Sequence, residues 1–281
     1  MKINNNLEKS VIEDFGTEWS KFNHGSELMD EGLFKSMFDR YFRLFPFNEL
    51  PDGSVGFDLG AGTGRWARYM IASVRHLNCI EPSDMARLQL KKNLSNFENV
   101  SILNHKSTDH FLEEGSQDFG YCLGVLHHTV DPLKGLVSCQ RALKSGAPFL
   151  LYLYYNFENR SFAFRWVWKL SNGVRAIVCR LPKKIKHFVC ELIATVIYYP
   201  LARFSKILHN LGININLPLS FYQDKSFYMM RTDALDRFGT KLEKRYSKND
   251  ITSLLEEAGF DRIEFSSEEP FWVALAYKVK S

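Results

Sequence analysis

The residues best suited to chemistry lie in a glycine-rich turn at the end of the first clear strand. The run from Val55 to Trp66, VGFDLGAGTGRW, is typical of a strand, a tight turn and the start of a helix. Glycine is favoured in such a turn because it permits unusual backbone angles and lets a ligand approach the main chain closely. Asp58 stands just ahead of the glycines, where its carboxylate would repel a pyrophosphate and attract a cation. The turn therefore predicts a small-molecule site that favours a positively charged ligand.

The spacing of the glycines argues against a dinucleotide site. That fingerprint requires G-x-G-x-x-G or G-x-G-x-x-A, whereas Gly60, Gly62 and Gly64 form G-x-G-x-G, and Arg65 stands where the last small residue belongs. The alternative interpretation is a plain tight turn in a nucleotide-type fold that binds something else.

Two adjacent histidines supply candidate acid–base chemistry. His127 and His128 follow a predicted strand, and imidazole titrates close enough to neutrality to accept a proton. On an extended segment the two rings would face opposite ways, so we expect no shared metal site. The five cysteines form no C-x-x-C pair, and we expect neither a zinc site nor a disulfide framework.

The elements that position these residues alternate between strands and helices. The helix near 131–144 is the best defined, because Asp131 can cap it, Pro132 suits its first position and Gly146 is placed to follow its end. Candidate strands occupy 55–59, 76–81, 99–104, 117–123 and 147–155, with helices near 65–74, 83–96 and 131–144. From Ser247 an amphipathic helix and two strands complete the pattern. It predicts an α/β fold: a doubly wound, seven-stranded, mostly parallel sheet with a helical insertion between strands five and six.

This pattern divides the chain into four predicted segments. They are a helical lead-in (1–50), a Rossmann-like core (51–156), a basic and aromatic helical insertion (157–246), and a final helix with antiparallel strands that completes the core (247–281).

Several motifs resemble those of the class I methyltransferases that use S-adenosylmethionine (SAM), in particular the enzymes acting on small molecules and glycans. The likeness covers about residues 55–155 and 247–279 and rests on D-L-G-A-G-T-G from Asp58, C-I-E-P-S around Glu81, G-V-L-H-H from Gly124, L-K-S-G from Leu143 and the late S-L-L-E-E-A-G-F. It implies that SAM is the methyl donor and S-adenosylhomocysteine the product.

The resemblance also implies the roles of individual residues. Glu81 would hold the ribose hydroxyls and Met85 would pack on the adenine. In place of the family's G-D-A the chain has His105, Lys106 and Ser107, so adenine recognition would depend on main-chain groups or Asp109. The predicted cofactor-binding residues are Asp58, Gly60, Ala61, Gly62, Gly64, Trp66, Glu81, Pro82, Met85, Ser107, Gly124 and Val125.

The acceptor side of the site is predicted with less detail. His128 is the candidate general base if the acceptor is a hydroxyl. The candidate acceptor-binding residues are Trp19, Arg231, Tyr154, Tyr155 and Asn156, of which the last three follow the fifth strand. Trp19 could equally be a packing residue, and Arg231 a structural ion-pair partner.

The insertion carries most of the positive charge. Between Arg160 and His209 there are ten Lys and Arg against one acid. An apolar helical stripe lies beside Arg165, Lys169 and Arg175, and it consists of Phe162, Trp166, Leu170, Val174 and Ile177. Three interpretations stay open: a lid on an anionic membrane or lipid-linked acceptor, a helical cap with solvated bases, and a nucleic-acid surface. The longest apolar run, Phe188 to Ala202, is interrupted by Glu191 and Pro200, and so no transmembrane helix is predicted.

The sequence thus predicts methyl transfer from SAM to a small-molecule, glycan or lipid-linked acceptor, with oxygen as the preferred atom. The alternatives are an RNA or DNA methyltransferase, and a SAM- or nucleotide-binding protein without catalysis whose insertion is an interaction surface. A nucleic-acid substrate is disfavoured because no N-P-P-Y or D-P-P-Y follows the fourth strand, the place where amino-methylating DNA enzymes carry that motif. The N-terminus has no apolar signal region, so we expect a cytosolic protein, peripheral at the inner membrane face under the lid hypothesis.

Overall fold

A seven-stranded sheet forms the centre of the structure, a computed structural model that describes residues 31–213 and 217–280. The strand order is β3-β2-β1-β4-β5-β7-β6. All strand pairs are parallel except those of β7, which runs antiparallel to both neighbours. The strands are β1 (Val55–Leu59), β2 (His76–Ile80), β3 (Val100–Leu103), β4 (Phe119–Leu123), β5 (Pro148–Tyr152), β6 (Phe260–Phe265) and β7 (Val273–Lys278). The predicted mostly parallel α/β fold is confirmed.

Nine α-helices connect or flank these strands in the described residues. Those in sequence around the sheet are α1 (Glu31–Tyr41), α2 (Ala67–Met70), α3 (Asp84–Asn93), α4 (Pro132–Ala142) and α9 (Lys248–Glu257). Between β5 and α9 the chain forms α5 (Phe162–Val178), α6 (Lys183–Ile193), α7 (Tyr199–Asn210) and α8 (Phe227–Gly239). The predicted helical insertion between strands five and six is therefore present.

Reciprocal packing fixes the register of β1 against β4. Gly56 pairs with Phe119, and Phe57 pairs with Gly120. A Cβ at Gly56 would lie 2.3 Å from the Phe119 ring, and one at Gly120 would lie 2.3 Å from the Phe57 ring. Each ring thus occupies space that only a glycine leaves open. The next pair in this register places Asp58 beside a tyrosine of β4.

The caps of two helices follow the sequence, whereas one predicted stop does not. Asp131 accepts a hydrogen bond from the Lys134 amide at 3.0 Å, and Ser247 caps α9. Gly146 has φ +74°, but α4 ends at Ala142, and the Gly146 amide donates to the Lys278 carbonyl. The prediction that Gly146 closes α4 is therefore wrong; this glycine forms the turn into β5.

The chain divides into two compact units, Met1–Glu158 with Leu242–Ser281, and Asn159–Lys241. The first holds the sheet, with apolar cores on both faces. In the second unit, called the helical unit below, α8 packs against α5 and α6. Inside it the buried Lys186 donates to the Gly239 carbonyl at 3.2 Å.

One helix of the helical unit is longer than the sequence suggests. Pro200 was expected to break it, yet α6 and α7 join through a π-helical turn, Ala194–Tyr198, into one helix from Lys183 to Asn210. Proline lacks an amide proton and crowds the preceding turn, and the wider π turn accommodates that change. By length and composition this 28-residue helix could cross a membrane, and the interruption expected at Pro200 is absent.

Candidate active site

The candidate site lies where the strand order reverses. From β1 the chain builds outward through β2 to β3, and then returns to place β4 on the other side of β1. In open parallel sheets ligands bind at such a switch point, outside the carboxyl ends of the strands. The Gly60–Gly64 turn, Glu81 and the Gly124–His128 segment follow three adjacent strands at this edge.

The glycine turn is held by the backbone of β2. The amides of Gly60 and Ala61 both donate to the Ile80 carbonyl, at 2.8 and 3.1 Å. Gly60 has φ +77°, and a Cβ there would lie 2.4 Å from the side chain of Val125. Any larger residue would therefore strain the backbone and collide with the segment after β4.

Glu81 is held rigidly by main-chain donors. One carboxylate oxygen accepts from the Gly62 amide at 3.0 Å, and the other accepts from the Ser83 amide at 2.9 Å. Burial raises the pKa of Glu81, and these two amides oppose that rise. Each oxygen retains a second lone pair. The side chain is therefore prepositioned to accept hydrogen bonds from a pair of ligand hydroxyls.

Asp58 is a buried carboxyl with an unsatisfied oxygen. Its side chain is 2% exposed, and within the described part of the chain Oδ2 has no hydrogen-bond partner. Burial raises the pKa of Asp58 to about 8; the neighbouring Tyr121 hydroxyl lowers it, and Glu81 raises it further. Such a group ionises readily only when a cation arrives beside it.

The two histidines lie side by side on a turn. Leu126–His128 is a 3₁₀ helix, and the ring centroids are 4.0 Å apart. The expectation that they face opposite ways is therefore wrong, because the segment is not extended. His127 is buried and stacks on Tyr154 at 3.7 Å, and burial holds its pKa well below the usual value. His127 is thus a neutral packing residue.

A hydrogen bond to a backbone carbonyl fixes the tautomer of His128. Its Nδ1 lies 2.7 Å from the carbonyl oxygen of Leu242. A carbonyl can only accept, so Nδ1 carries the proton, and in the neutral ring the lone pair is on Nε2. His128 is 5% exposed, which limits the number of orientations open to the ring.

The segment that supplies this carbonyl was missed by the sequence analysis. Residues 242–246 join the ends of two strands, because the Lys244 amide donates to the His127 carbonyl at 3.0 Å and the Tyr246 amide donates to the Tyr154 carbonyl at 2.9 Å. The only sequence signal was the run of three charged residues, Glu243, Lys244 and Arg245.

A buried ion pair strengthens the same segment. Arg245 Nε lies 2.9 Å from Glu243, whose side chain is 1% exposed, and a second guanidinium nitrogen donates to the Tyr155 carbonyl at 3.2 Å. The guanidinium also lies 5.1 Å from the centroid of the Tyr154 ring. These contacts fix the backbone beyond β5, where the acceptor was predicted to bind.

The remaining candidates of the cofactor set have varied surroundings, and their roles stay predictions. Trp66 lies 4.9 Å from the Tyr41 ring of α1. Met85 is 49% exposed, Ser107 is buried and Pro82 is half-buried. Gly124 has φ +81°, and no atom of the residues that the structure describes lies within 4 Å of a Cβ placed there. These residues thus leave space beside Gly124, after β4.

The roles of two acceptor candidates stay predictions. Arg231 belongs to the helical unit and pairs with Glu191, Nε to carboxylate, at 2.8 Å. That contact is the structural ion pair foreseen as its alternative. Trp19 lies outside the described residues. Asn156, by contrast, follows β5, where its backbone amide donates to the Tyr246 carbonyl.

Comparison with known proteins identifies the domain. The family described as a methyltransferase domain matches residues 57–151, the stretch from β1 to β5. No curated protein sequence matches the chain significantly.

Solved structures share the fold at low sequence identity. A putative methyltransferase from Bacillus halodurans has TM-score 0.51 and 13% identity, with 82% of this chain and 70% of that one covered. The putative methyltransferase of a Haloferax volcanii complex with the Trm112 activator has TM-score 0.51 and 13% identity, with 94% and 97% covered. An O-methyltransferase family protein from Burkholderia thailandensis has TM-score 0.53 and 12% identity, with 89% and 57% covered.

The geometry of the site fits SAM. The unsatisfied Asp58 oxygen suits a cationic ligand, the held Glu81 carboxylate suits ribose hydroxyls, and the space beside Gly124 admits a ligand next to the main chain. The domain match, the sheet order and this fit agree. Residues 57–151 form a methyltransferase domain, the protein is a SAM-dependent methyltransferase, and SAM is its methyl donor.

Proposed function

We propose that the enzyme methylates a hydroxyl oxygen of a small-molecule, glycan or lipid-linked acceptor, with His128 as the general base. One observation carries this proposal: the hydrogen bond from His128 Nδ1 to the Leu242 carbonyl, which puts the basic lone pair on Nε2. A neutral amine has less need of such a base than an alcohol, whose proton must leave as the new bond forms.

SAM supplies an activated methyl group, so the chain's own task is to position the acceptor, exclude water and accept one proton. His128 Nε2 takes the proton of the hydroxyl while the oxygen–carbon bond forms and the carbon–sulfur bond breaks. The Leu242 carbonyl stabilises the resulting imidazolium through Nδ1–H. Proton acceptance by a positioned base contributes roughly 10²- to 10⁴-fold.

The neighbours of His128 support this role. His127 stays neutral because burial depresses its pKa, so it places no positive charge beside the base. Tyr154 stacks on His127 and forms an edge-on contact with His128 at 5.6 Å. Together with Tyr155 and Asn156, it places aromatic rings and a side-chain amide beyond β5, a combination that suits a sugar or another hydroxylated ring.

The test compares His128→Asn with the wild-type enzyme. Asparagine can still donate to the Leu242 carbonyl but has no basic nitrogen in place of Nε2. Methyl-labelled SAM is incubated with polar, lipid and RNA fractions of a cell extract, and the linkage of the labelled methyl is identified by NMR. We expect an O-methyl product, a 10²- to 10⁴-fold loss of transfer in His128→Asn and unchanged SAM affinity.

The same assay decides between the proposal and its alternatives. Label only in RNA would assign a macromolecular acceptor, and an N- or C-methyl product would refute the proposal at the acceptor atom. Full activity of His128→Asn would remove the general base. Tight SAM binding without transfer to any fraction would favour a non-catalytic binding protein.

A further inference from the structure

The helical unit concentrates the exposed apolar surface of the protein. Among the described residues, 18 of the 23 large apolar side chains that are exposed belong to Asn159–Lys241, which is less than a third of the chain. Scattered apolar side chains on a surface are ordinary, whereas a concentration of this kind marks a binding surface.

One part of this surface is a complete face of α5. Its members recur at three- and four-residue steps, the spacing that aligns side chains along one side of a helix. Leu170 is 67% exposed and Ile177 is 69% exposed, although a helix of a soluble protein normally turns such a face to the core. The stripe consists of Phe162, Trp166, Leu170, Val174 and Ile177.

The second part is one side of the long Lys183–Asn210 helix. Its opposite side is packed, since Lys186, Cys190 and Ala202 are buried. Only 28% of its apolar stretch is buried, and the helix extends about 42 Å at 1.5 Å per residue. A helix already packed along one side is suited to lie in a membrane interface rather than to cross the bilayer. The exposed stripe consists of Phe188, Leu192, Val196, Phe204 and Ile207.

Basic residues accompany both stripes. The helical unit contains fourteen Lys and Arg against four acids. Arg165 and Lys169 are exposed on α5, and Lys183 and Lys184 are exposed at the start of the long helix. Apolar stripes next to bases match a leaflet that offers acyl chains beneath anionic head groups. Nucleic acid would match the bases but leave the apolar stripes in water.

We propose that the helical unit docks on a lipid bilayer with anionic head groups, its two apolar stripes lying in the plane of the interface. The protein is then a peripheral membrane enzyme. The inference holds whichever atom accepts the methyl group, because it rests on exposure and charge in the helical unit alone.

Binding of the full-length protein to vesicles tests the docking. We expect it to co-sediment with vesicles of phosphatidylcholine and phosphatidylglycerol, and much less with phosphatidylcholine alone. Replacing Trp166, Leu170 and Phe188 with serine should weaken binding at least tenfold, whereas the control Leu88→Ser, which removes a 68% exposed leucine of α3, should not. No binding to the mixed vesicles, or equal binding by the triple variant, would overturn the proposal.

Charge and depth are tested separately. Changing Arg165, Lys169 and Lys184 to glutamine should weaken binding roughly a hundredfold, while glutamine at the exposed Lys91 and Lys92 of α3 should leave it unchanged. Lipids brominated at shallow acyl positions should quench the fluorescence of Trp166. This contribution is identified as the part of the tryptophan emission that Trp166→Phe lacks. Circular dichroism verifies the folding of each variant.

The alternative occupant of the apolar face is a second copy of the chain. Sedimentation velocity in the absence of lipid distinguishes the two. A stable dimer that the Trp166, Leu170 and Phe188 triple variant dissociates would assign the face to self-association, and would refute the membrane proposal.

Discussion

The affinity for SAM should depend on pH because of Asp58. Burial raises the pKa of this carboxyl to about 8, so in the free protein it is mostly protonated at neutral pH. We expect the cation of SAM to bind the ionised form, so that binding requires loss of the Asp58 proton below pH 8. Raising the pH should therefore tighten binding, and Asp58→Asn should remove the dependence.

The magnitude follows from that pKa. With a pKa of about 8, roughly 1% of Asp58 is ionised at pH 6 and about half at pH 8, so the Kd for SAM should fall about 50-fold over this range. At pH 7 about 0.9 proton should be released for each SAM bound. In Asp58→Asn the Kd should be weaker at pH 8 and nearly constant between pH 6 and 8.

Isothermal titration calorimetry measures both quantities. The Kd is determined between pH 6 and 8, and proton release is obtained from titrations in buffers that differ in ionisation enthalpy. A wild-type Kd that is flat with pH, or one that changes identically in Asp58→Asn, would refute the role given to this carboxyl.

Four further outcomes follow from the same contacts. The raised pKa of Asp58 stabilises the free protein below pH 4, and this stabilisation is lost as the pH rises to 8. Asparagine does not titrate, so the unfolding free energy of Asp58→Asn should rise relative to that of the wild type by about 1 kcal/mol per pH unit across that range. Urea denaturation measures the difference. Glu81→Gln should raise the Kd for SAM about tenfold or more, since an amide cannot accept at both positions that the carboxylate now fills; calorimetry measures it. Gly60→Ala should cost several kcal/mol through strain and collision, whereas Gly124→Ala should cost about 1 kcal/mol for backbone strain but also weaken SAM binding; equal losses of stability would contradict this. Asp131→Ala should lower the unfolding free energy by about 1 kcal/mol through loss of the α4 cap, and an unchanged thermal midpoint would contradict it.

The sheet and the cofactor turn could be predicted because their signals are local. A strand followed by Gly60, Gly62 and Gly64 specifies a turn whose angles glycine alone adopts readily, and the alternation of strands and helices specifies a parallel sheet. Cap residues such as Asp131 bond to amides three residues away, so their role is also visible in the sequence.

The rest depends on contacts between distant parts of the chain. His128 bonds to Leu242, 114 residues later, and periodicity cannot reveal such a partner. Pro200 suggests a break, but the π turn before it lets the helix continue to Asn210. Gly146 looks like a helix stop until β7 is in place to pair with it. These errors concern tertiary context, which overrides local preference.

The structure of the enzyme with S-adenosylhomocysteine bound tests the central claim most directly. We expect the ribose hydroxyls within hydrogen-bond distance of the Glu81 carboxylate, the amino acid portion beside Asp58 and the glycine turn, and the sulfur facing His128 Nε2. A cofactor bound away from Glu81, or one whose sulfur points away from His128, would contradict the account.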